Sequence, residues 1–322
     1  HLLSPQTKLM VMVKAFAYGS GSYEIANFLQ HNRIDYLGVA YLEEGVRLRQ
    51  NGIDLPIMVM NPSPEDFTIC EEFSLEPEIF SLATLKEVVK HKISSPIHLK
   101  VETGMNRLGF LEEELPELCS LLLAQEGPSV ASIFSHLAVS EDEKYDEFTD
   151  EQASKFLKFY NSVSEILDYN PIKHLLNSAG IVRKKEYHFD MVRLGLGLFG
   201  LDVTDSLPLL PAGTLSSYVS QVKAVSKGES VGYGRAYIAP ADATIAIVPI
   251  GYADGYLRTF GLGKAYVNIN QQPAKTVGNI CMDMLMVDIT GLEVSEGDRV
   301  EIFGEFPTVA DLAKWSHTIP YE

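Results

Sequence analysis

Val11-Met-Val-Lys-Ala-Phe-Ala-Tyr-Gly-Ser-Gly21 ends an apolar run on a lysine and a turn of small residues. An open dinucleotide-binding sheet would carry G-x-G-x-x-G after its first strand, and the chain has no such motif there. Outward from this stretch, short apolar runs recur at 9–13, 36–41, 56–60, 79–81, 97–101, 131–136, 174–177 and 191–199. Amphipathic segments separate several of them. The clearest is 151–168, where Ala153, Phe156, Leu157, Tyr160, Val163 and Leu167 fall at helical spacing. Strand–helix alternation implies parallel strands joined by crossovers, and eight such runs over about 200 residues predict a (β/α)8 barrel of the TIM type rather than a doubly wound sheet.

The texture changes after Leu201, where Pro208, Pro211 and Gly213 read as a linker. Strand-like runs at 218–225, 243–249, 264–269 and 284–289 follow, separated by Gly, Pro, Asn and Asp turns, and 309–316 reads as a further helix. The expected organisation is a barrel over 1–210 and a smaller, mostly-β domain over 211–322.

The chain has 322 residues, 46% of them hydrophobic, and a net charge of −17. It can bury a large core. With no Lys/Arg run it offers no footprint for a nucleic-acid partner. The acidic run Ser140-Glu-Asp-Glu-Lys-Tyr-Asp-Glu147 reads as a solvated loop. Cys70, Cys119 and Cys281 are odd in number and lack C-x-x-C spacing, which predicts neither a disulfide framework nor a metal site. No apolar run approaches the ~20 residues of a membrane span and no signal-peptide pattern is present, so a cytoplasmic location is expected.

Barrel chemistry sits at the C-terminal strand ends. Lys14 and Tyr18 follow the first run, Lys100, Thr103 and Arg107 the fifth, His136 ends the sixth, Asn177 and Ser178 the seventh, and Arg193 lies on the eighth. So many polar groups at one mouth are costly to keep for stability alone. A lysine at a buried strand end favours its neutral nucleophilic form and can bond a carbonyl cofactor such as pyridoxal 5'-phosphate (PLP). The Ser178 hydroxyl and the Gly195-Leu196 amides can hold a phosphate.

Val13-Lys-Ala-Phe-Ala-Tyr-Gly19 resembles the PLP-lysine signature of the alanine racemases. Lys100-Val-Glu-Thr-Gly-Met-Asn-Arg-Leu-Gly109, Ser135-His-Leu-Ala138, Asn177-Ser-Ala179, Arg193-Leu-Gly195, Val231-Gly-Tyr-Gly234, Ile250-Gly-Tyr-Ala-Asp-Gly255 and Ile280-Cys-Met-Asp283 resemble its other blocks, in order. The resemblance implies a fold-type III PLP enzyme that interconverts L- and D-alanine for peptidoglycan, working as a head-to-tail homodimer with shared active sites. It implies that Lys14 carries PLP, with Arg193 on the pyridine nitrogen. The phosphate would be held by Tyr18, Ser178, Gly195, Leu196 and Tyr321, with His136 and Asn177 also at the cofactor. Arg107 would orient the cofactor and substrate. The Met282 backbone would meet the substrate carboxylate, and Tyr233 would be the second base, both from the partner subunit. Lys100 matches a position that can be carbamylated.

Two bases on opposite faces are the simplest way to invert a carbon. A phenol near its reference pKa of ~10 is a poor base at neutral pH, so positive neighbours are expected beside Tyr233, with His136 and Arg193 the candidates. A guanidinium also leaves the pyridine nitrogen largely unprotonated, which weakens the electron sink and favours simple proton exchange.

Phe16 stands where the family commonly has asparagine, and Asn279 where it often has arginine. Tyr252 and Asp254 are assigned either to core and turn or to substrate entry, Cys281 to the core, and His174 to packing at a strand start. The competing functions are a non-catalytic PLP carrier and a racemase of serine or broader specificity. The chain opens at His1 and stops just after Tyr321, which reads as a piece of a longer protein, one option being a module fused to a cell-wall ligase.

Overall fold

The computed structural model describes residues 2–322 apart from Gln125, Glu126, Val203 and Asp205. It divides into two compact units, His1–Leu209 and Leu210–Glu322.

The first unit is a closed barrel of eight parallel strands in sequential order. These are β1 (Lys8–Met12), β2 (Tyr36–Val39), β3 (Ile57–Val59), β4 (Glu76–Ile79), β5 (Ile97–Lys100), β6 (Val130–Phe134), β7 (Ile172–His174) and β8 (Met191–Leu194). Side chains alternate between the two faces of a strand, which sorts these residues into two sets. Val11, Leu37, Val39, Ile57, Val59, Ile79, Ile97, Leu99, Ile133 and Val192 form the cores under the helices. Met10, Met12, Tyr36, Met58, Phe134 and Met191 form a separate interior cluster. The alternate positions on β4 to β8 bring in polar groups instead: Glu76, Glu78, His98, Lys100, Ser132, His174 and Arg193. One side of the barrel interior is therefore methionine-rich and the other is charged and hydrogen-bonded. That asymmetry underlies the site.

Three expected strands move. The fourth lies at Glu76–Ile79 rather than 79–81 and the seventh at Ile172–His174 rather than 174–177. In the fourth, Glu76-Pro77-Glu78 is no apolar run, yet it forms most of the strand and Glu78 is fully buried. The eighth stops at Leu194 and a tight turn, Leu196–Phe199, completes the run to 199.

The acidic run is solvent-exposed at Glu141, Glu143 and Glu147, as expected of a solvated loop, but its two ends are tied down. Ser140 is buried, with its hydroxyl donating to Asn177 Oδ1 at 2.7 Å, and Asp146 opens the long helix Asp146–Leu167. Asp146 Oδ1 accepts from Arg183 Nη2 at 3.0 Å, and Lys184 Nζ meets Asp150 Oδ1 at 2.8 Å. Arg183 and Lys184, which pair with Asp146 and Asp150, are too distant in sequence for a local charge pattern to reveal.

The second unit holds β9 (Leu215–Tyr218), β10 (Gln221–Val225), β11 (Ser230–Val231), β12 (Tyr237–Ile238), β13 (Ala243–Val248), β14 (Tyr266–Ile269), β15 (Gln272–Val277), β16 (Leu285–Asp288) and β17 (Arg299–Phe303). Seven of them form one sheet in the order β10-β13-β16-β15-β14-β17-β9, and β11 pairs with β12. The run at 218–225 splits into two strands at Val219 and Ser220, while β15 and β17 lack an apolar run of their own. Their alternate residues Ala274, Thr276, Val300 and Ile302 are buried among lysine, glutamate and arginine. The helix lies at Val309–Ser316 as its periodicity predicts, capped by Thr308, whose Oγ1 accepts from Asp311 N at 3.1 Å.

Candidate active site

Lys14 lies just beyond β1, at the start of a left-handed turn. Ala15, Phe16, Ala17 and Tyr18 all have φ between 50° and 57°. Each non-glycine residue in that region costs about 1–2 kcal/mol, so the turn persists only because its surroundings hold it. Ala17 N donates to Val13 O at 2.9 Å and Gly21 N to Phe16 O at 3.0 Å. Glu44 does more: its carboxylate accepts from Ala15 N at 2.6 Å, Ala40 N at 2.7 Å and Tyr41 N at 3.2 Å. Replacing Glu44 with alanine is expected to lower stability by about 2–3 kcal/mol, since three charge-assisted bonds vanish together. Urea unfolding checks this, and a loss under about 0.5 kcal/mol, the range of ordinary surface substitutions, would contradict it.

Burial pushes the Lys14 amine below its usual range, and Arg107, Lys100 and Arg193 add to the shift while Glu44 opposes it. These cations therefore converge on Lys14, as sequence order alone suggests. Arg193 is buried, and burial lowers its guanidinium to about 10, still a cation at neutral pH. It donates to His174 Nδ1 at 2.8 Å, Ser135 O at 2.8 Å, Leu175 O at 2.8 Å and His136 Nδ1 at 3.1 Å.

His136 is not the cation expected of it. Burial, then Arg193, Arg107, Lys100 and Lys14, depress its pKa well below the ordinary histidine value. Its ring is neutral and accepts a bond from Arg193, so it supplies no positive charge to a phenolate.

Opposite Arg193, the turn after β8 forms a cradle. Ser178 Oγ accepts from Gly195 N at 2.9 Å and Gly197 N at 3.3 Å. A Cβ at Gly195 would lie 2.9 Å from Tyr18 Oη and 3.9 Å from Ser178 Oγ, so glycine keeps this space open between two hydroxyls. Asn177 caps the short helix Ser178–Arg183 by accepting from Gly180 N at 3.0 Å. Its Oδ1 therefore fixes the start of the helix that carries Ser178.

Lys100 is 5% exposed and its Nζ lies 3.2 Å from Glu78 Oε1. Burial raises Glu78 to about 7 against the pull of Lys100, Arg193 and Arg107. Lys100 thus faces a carboxyl group poised between its charged and neutral forms near neutral pH. The loop that carries Arg107 is tied down by Glu102, which accepts from Gly104 N and, at 3.2 Å, from Arg107 N. It closes through Gly109, at φ 136°, where a Cβ would lie 2.4 Å from Glu102 N. Thr103 is buried, its Oγ1 2.9 Å from Ser135 Oγ, and belongs to the packing beneath this loop.

The remaining predicted residues belong to the second unit. Tyr233 is 73% exposed on the turn between β11 and β12, and Asn279 Nδ2 donates to its carbonyl at 3.0 Å. It borders a cavity of about 440 Å³, lined in part by Val231, Cys281, Met284 and Met286. The Met282 carbonyl accepts from Ala253 N at 2.9 Å, and its N–H has no partner among the described residues. Tyr321 is half exposed close to the chain end.

A family model for the alanine racemase N-terminal domain matches residues 1–203, and one for the C-terminal domain matches 212–322. The chain belongs to the alanine racemase family. It is 35% identical over 324 residues to the alanine racemase of Thermodesulfovibrio yellowstonii, covering 98% of this chain and 86% of that protein. Alanine racemase 1 of Bacillus subtilis is 36% identical over 332 residues, 98% of this chain and 82% of the relative. Among solved structures, the alanine racemase of Clostridium difficile 630 superposes with a TM-score of 0.91 at 35% identity, covering 99% and 86% of the two chains. That of Bartonella henselae, with covalently bound pyridoxal phosphate, gives 0.90 at 28% identity, covering 99% and 90%.

Alanine racemases are PLP-dependent enzymes, and the barrel mouth fits that cofactor. A desolvated amine, a hydroxyl-lined cradle kept open by glycine, and a buried guanidinium are the groups an aldehyde, a phosphate and a ring nitrogen require. Three contributors escaped the sequence reading: Glu44, Glu78 and His174. His174 ends β7 and touches Arg193 instead of packing at a strand start. A histidine three residues before Asn177 in the same apolar run was the available signal.

Proposed function

We propose that this chain interconverts L-alanine and D-alanine by a two-base mechanism, with PLP in the barrel mouth. The observation that carries this reading is the meeting of Lys14, the Tyr18–Ser178–Gly195 cradle and buried Arg193 at one end of the barrel. When bound, PLP supplies the electron sink that makes the amino acid's Cα proton acidic. Lys14 would hold the cofactor and, as a neutral amine, move the Cα proton on one face. Tyr18, Ser178, the Gly195 and Leu196 amides and Tyr321 would bind the phosphate, and Arg193 the ring nitrogen. His136 would offer a neutral ring beside the cofactor, and Asn177 would fix the helix start that carries Ser178.

Arg107 and the partner's Met282 N–H would receive the substrate carboxylate, and the partner's Tyr233 would serve the opposite face. This assigns a homodimer with shared sites, organised as 1–210 and 211–322. The free Met282 N–H and the exposure of Tyr233 support that assignment, since both groups are available to a second chain. Family membership supports a cytoplasmic enzyme that supplies D-alanine for peptidoglycan. No helix among the described residues is long and apolar enough to cross a membrane.

A PLP carrier is the weaker reading, because the match runs on through 212–322, where Tyr233 and Met282 lie. Circular dichroism of alanine solutions decides between the two. Starting from either enantiomer, the PLP-loaded protein is expected to reach the same racemic endpoint, with serine turned over more slowly. PLP binding without racemisation would return the carrier reading, and equal rates on serine would return the broad-specificity one.

A further inference from the structure

Five successive barrel strands each contribute one interior residue to an unbroken chain of hydrogen bonds. Glu76 on β4 accepts from His98 Nε2 on β5 at 2.8 Å. His98 Nδ1 lies 2.6 Å from Ser132 Oγ on β6, and Ser132 Oγ lies 2.9 Å from His174 Nε2 on β7. Arg193 Nη1 on β8 reaches His174 Nδ1 at 2.8 Å. His98, Ser132 and His174 are fully buried, and His174 stacks on Phe134 with ring centroids 4.8 Å apart.

The two ends fix every proton between them. A guanidinium only donates, so His174 Nδ1 accepts and its Nε2 carries the hydrogen. Ser132 then accepts from His174 and donates to His98 Nδ1, and His98 Nε2–H donates to the Glu76 carboxylate, which only accepts. Reversing any link would bring two hydrogens, or two lone pairs, face to face in a dry interior. Both histidines thus present a hydrogen on Nε2 and a lone pair on Nδ1.

We propose that Glu76 is a positioning residue for the reaction, acting through His98, Ser132 and His174 to keep a lone pair facing Arg193 and so hold the guanidinium against the cofactor's ring nitrogen. This rests on the assignment of Arg193 to that nitrogen. Without an acceptor at the far end, one of the two terms that disfavour the reversed chain is lost, and His174 gains access to its Nδ1–H tautomer, which points a donor at a donor and pushes the guanidinium aside.

The test uses PLP-loaded protein and three readouts: imidazole ¹⁵N NMR, the absorbance spectrum of bound PLP, and the ratio of pyruvate formed to alanine racemised. Wild type should show His98 and His174 protonated on Nε2 only. Glu76→Leu and Ser132→Ala should each mix the His174 tautomers, shift the absorbance and raise the ratio about fivefold or more, the scale of one buried hydrogen bond. A purely structural role would lower thermal stability and leave the ratio and spectrum in place, which would overturn the proposal. An Nδ1-protonated His174 in wild type would also overturn it, with no variant needed. If Ser132→Ala does not fold, Glu76→Leu, which keeps the bulk but removes the acceptor, decides, and Glu76→Gln, whose amide oxygen still accepts from His98 Nε2–H, should stay close to wild type in ratio and spectrum. Arg193→Glu separates the two layers. If it leaves spectrum and ratio unchanged, the Arg193 assignment itself fails; if it alone changes them, only the role of Glu76 fails.

Discussion

Lys14→Ala is expected to lower kcat/KM for alanine racemisation by at least about 10³-fold, because the same amine serves as cofactor anchor and as one of the two bases. Burial and the cations Arg107, Lys100 and Arg193 hold this amine below the ordinary lysine range, which raises the share of its neutral form at working pH. Alanine removes that group while leaving the cradle of Tyr18, Ser178 and Gly195 in place. PLP should therefore still bind, less tightly and without covalent attachment. Small primary amines added to the solution should restore part of the activity, since they can enter the space the side chain vacates. Wild-type PLP attachment with activity within about tenfold of wild type would show that another group does the chemistry.

Arg193→Glu should produce the second largest effect, with racemisation falling at least about 100-fold and pyruvate formation rising relative to it. Every neighbour of Arg193 presents an acceptor to it: His174 Nδ1, His136 Nδ1 and the carbonyls of Ser135 and Leu175. A carboxyl group placed there is driven to take a proton, from which it can donate to the ring nitrogen and strengthen the electron sink. With bound PLP a deeper sink would favour delivery of the Cα proton to the cofactor rather than back to Cα, the partition that the pyruvate readout measures. The same exchange leaves acceptors without donors, so the variant should also lose about 3–5 kcal/mol of stability, read by urea unfolding. Unchanged partitioning between pyruvate and racemised alanine would contradict the role given to Arg193.

Much of this site is legible in the sequence because barrel chemistry collects where strands end. Lys14, Arg107, His136 and Ser178 each follow or end an apolar run, Arg193 lies on one, and the closed order β1 to β8 carries them to one mouth. What escapes is the underside. Glu76, Glu78, His98 and Ser132 lie on strands at positions where a polar residue ordinarily faces water. Only a closed barrel turns those positions inward, and closure is a property of eight strands together. Glu44 escapes for another reason: its partners Ala15, Ala40 and Tyr41 are backbone N–H groups, which leave no mark in composition or spacing. The charge state of His136 escapes as well, since a histidine among cations reads as part of a positive cluster until burial beside Arg193 shows it neutral.

The most direct test of the two-base account is deuterium wash-in at Cα of L-alanine and of D-alanine in D2O with added PLP, comparing the intact chain with Tyr233→Phe. The account predicts exchange of both enantiomers by the intact chain, and loss mainly on the L-alanine side in the variant, with Lys14 still exchanging D-alanine. Exchange of both enantiomers at undiminished rates in Tyr233→Phe would contradict it.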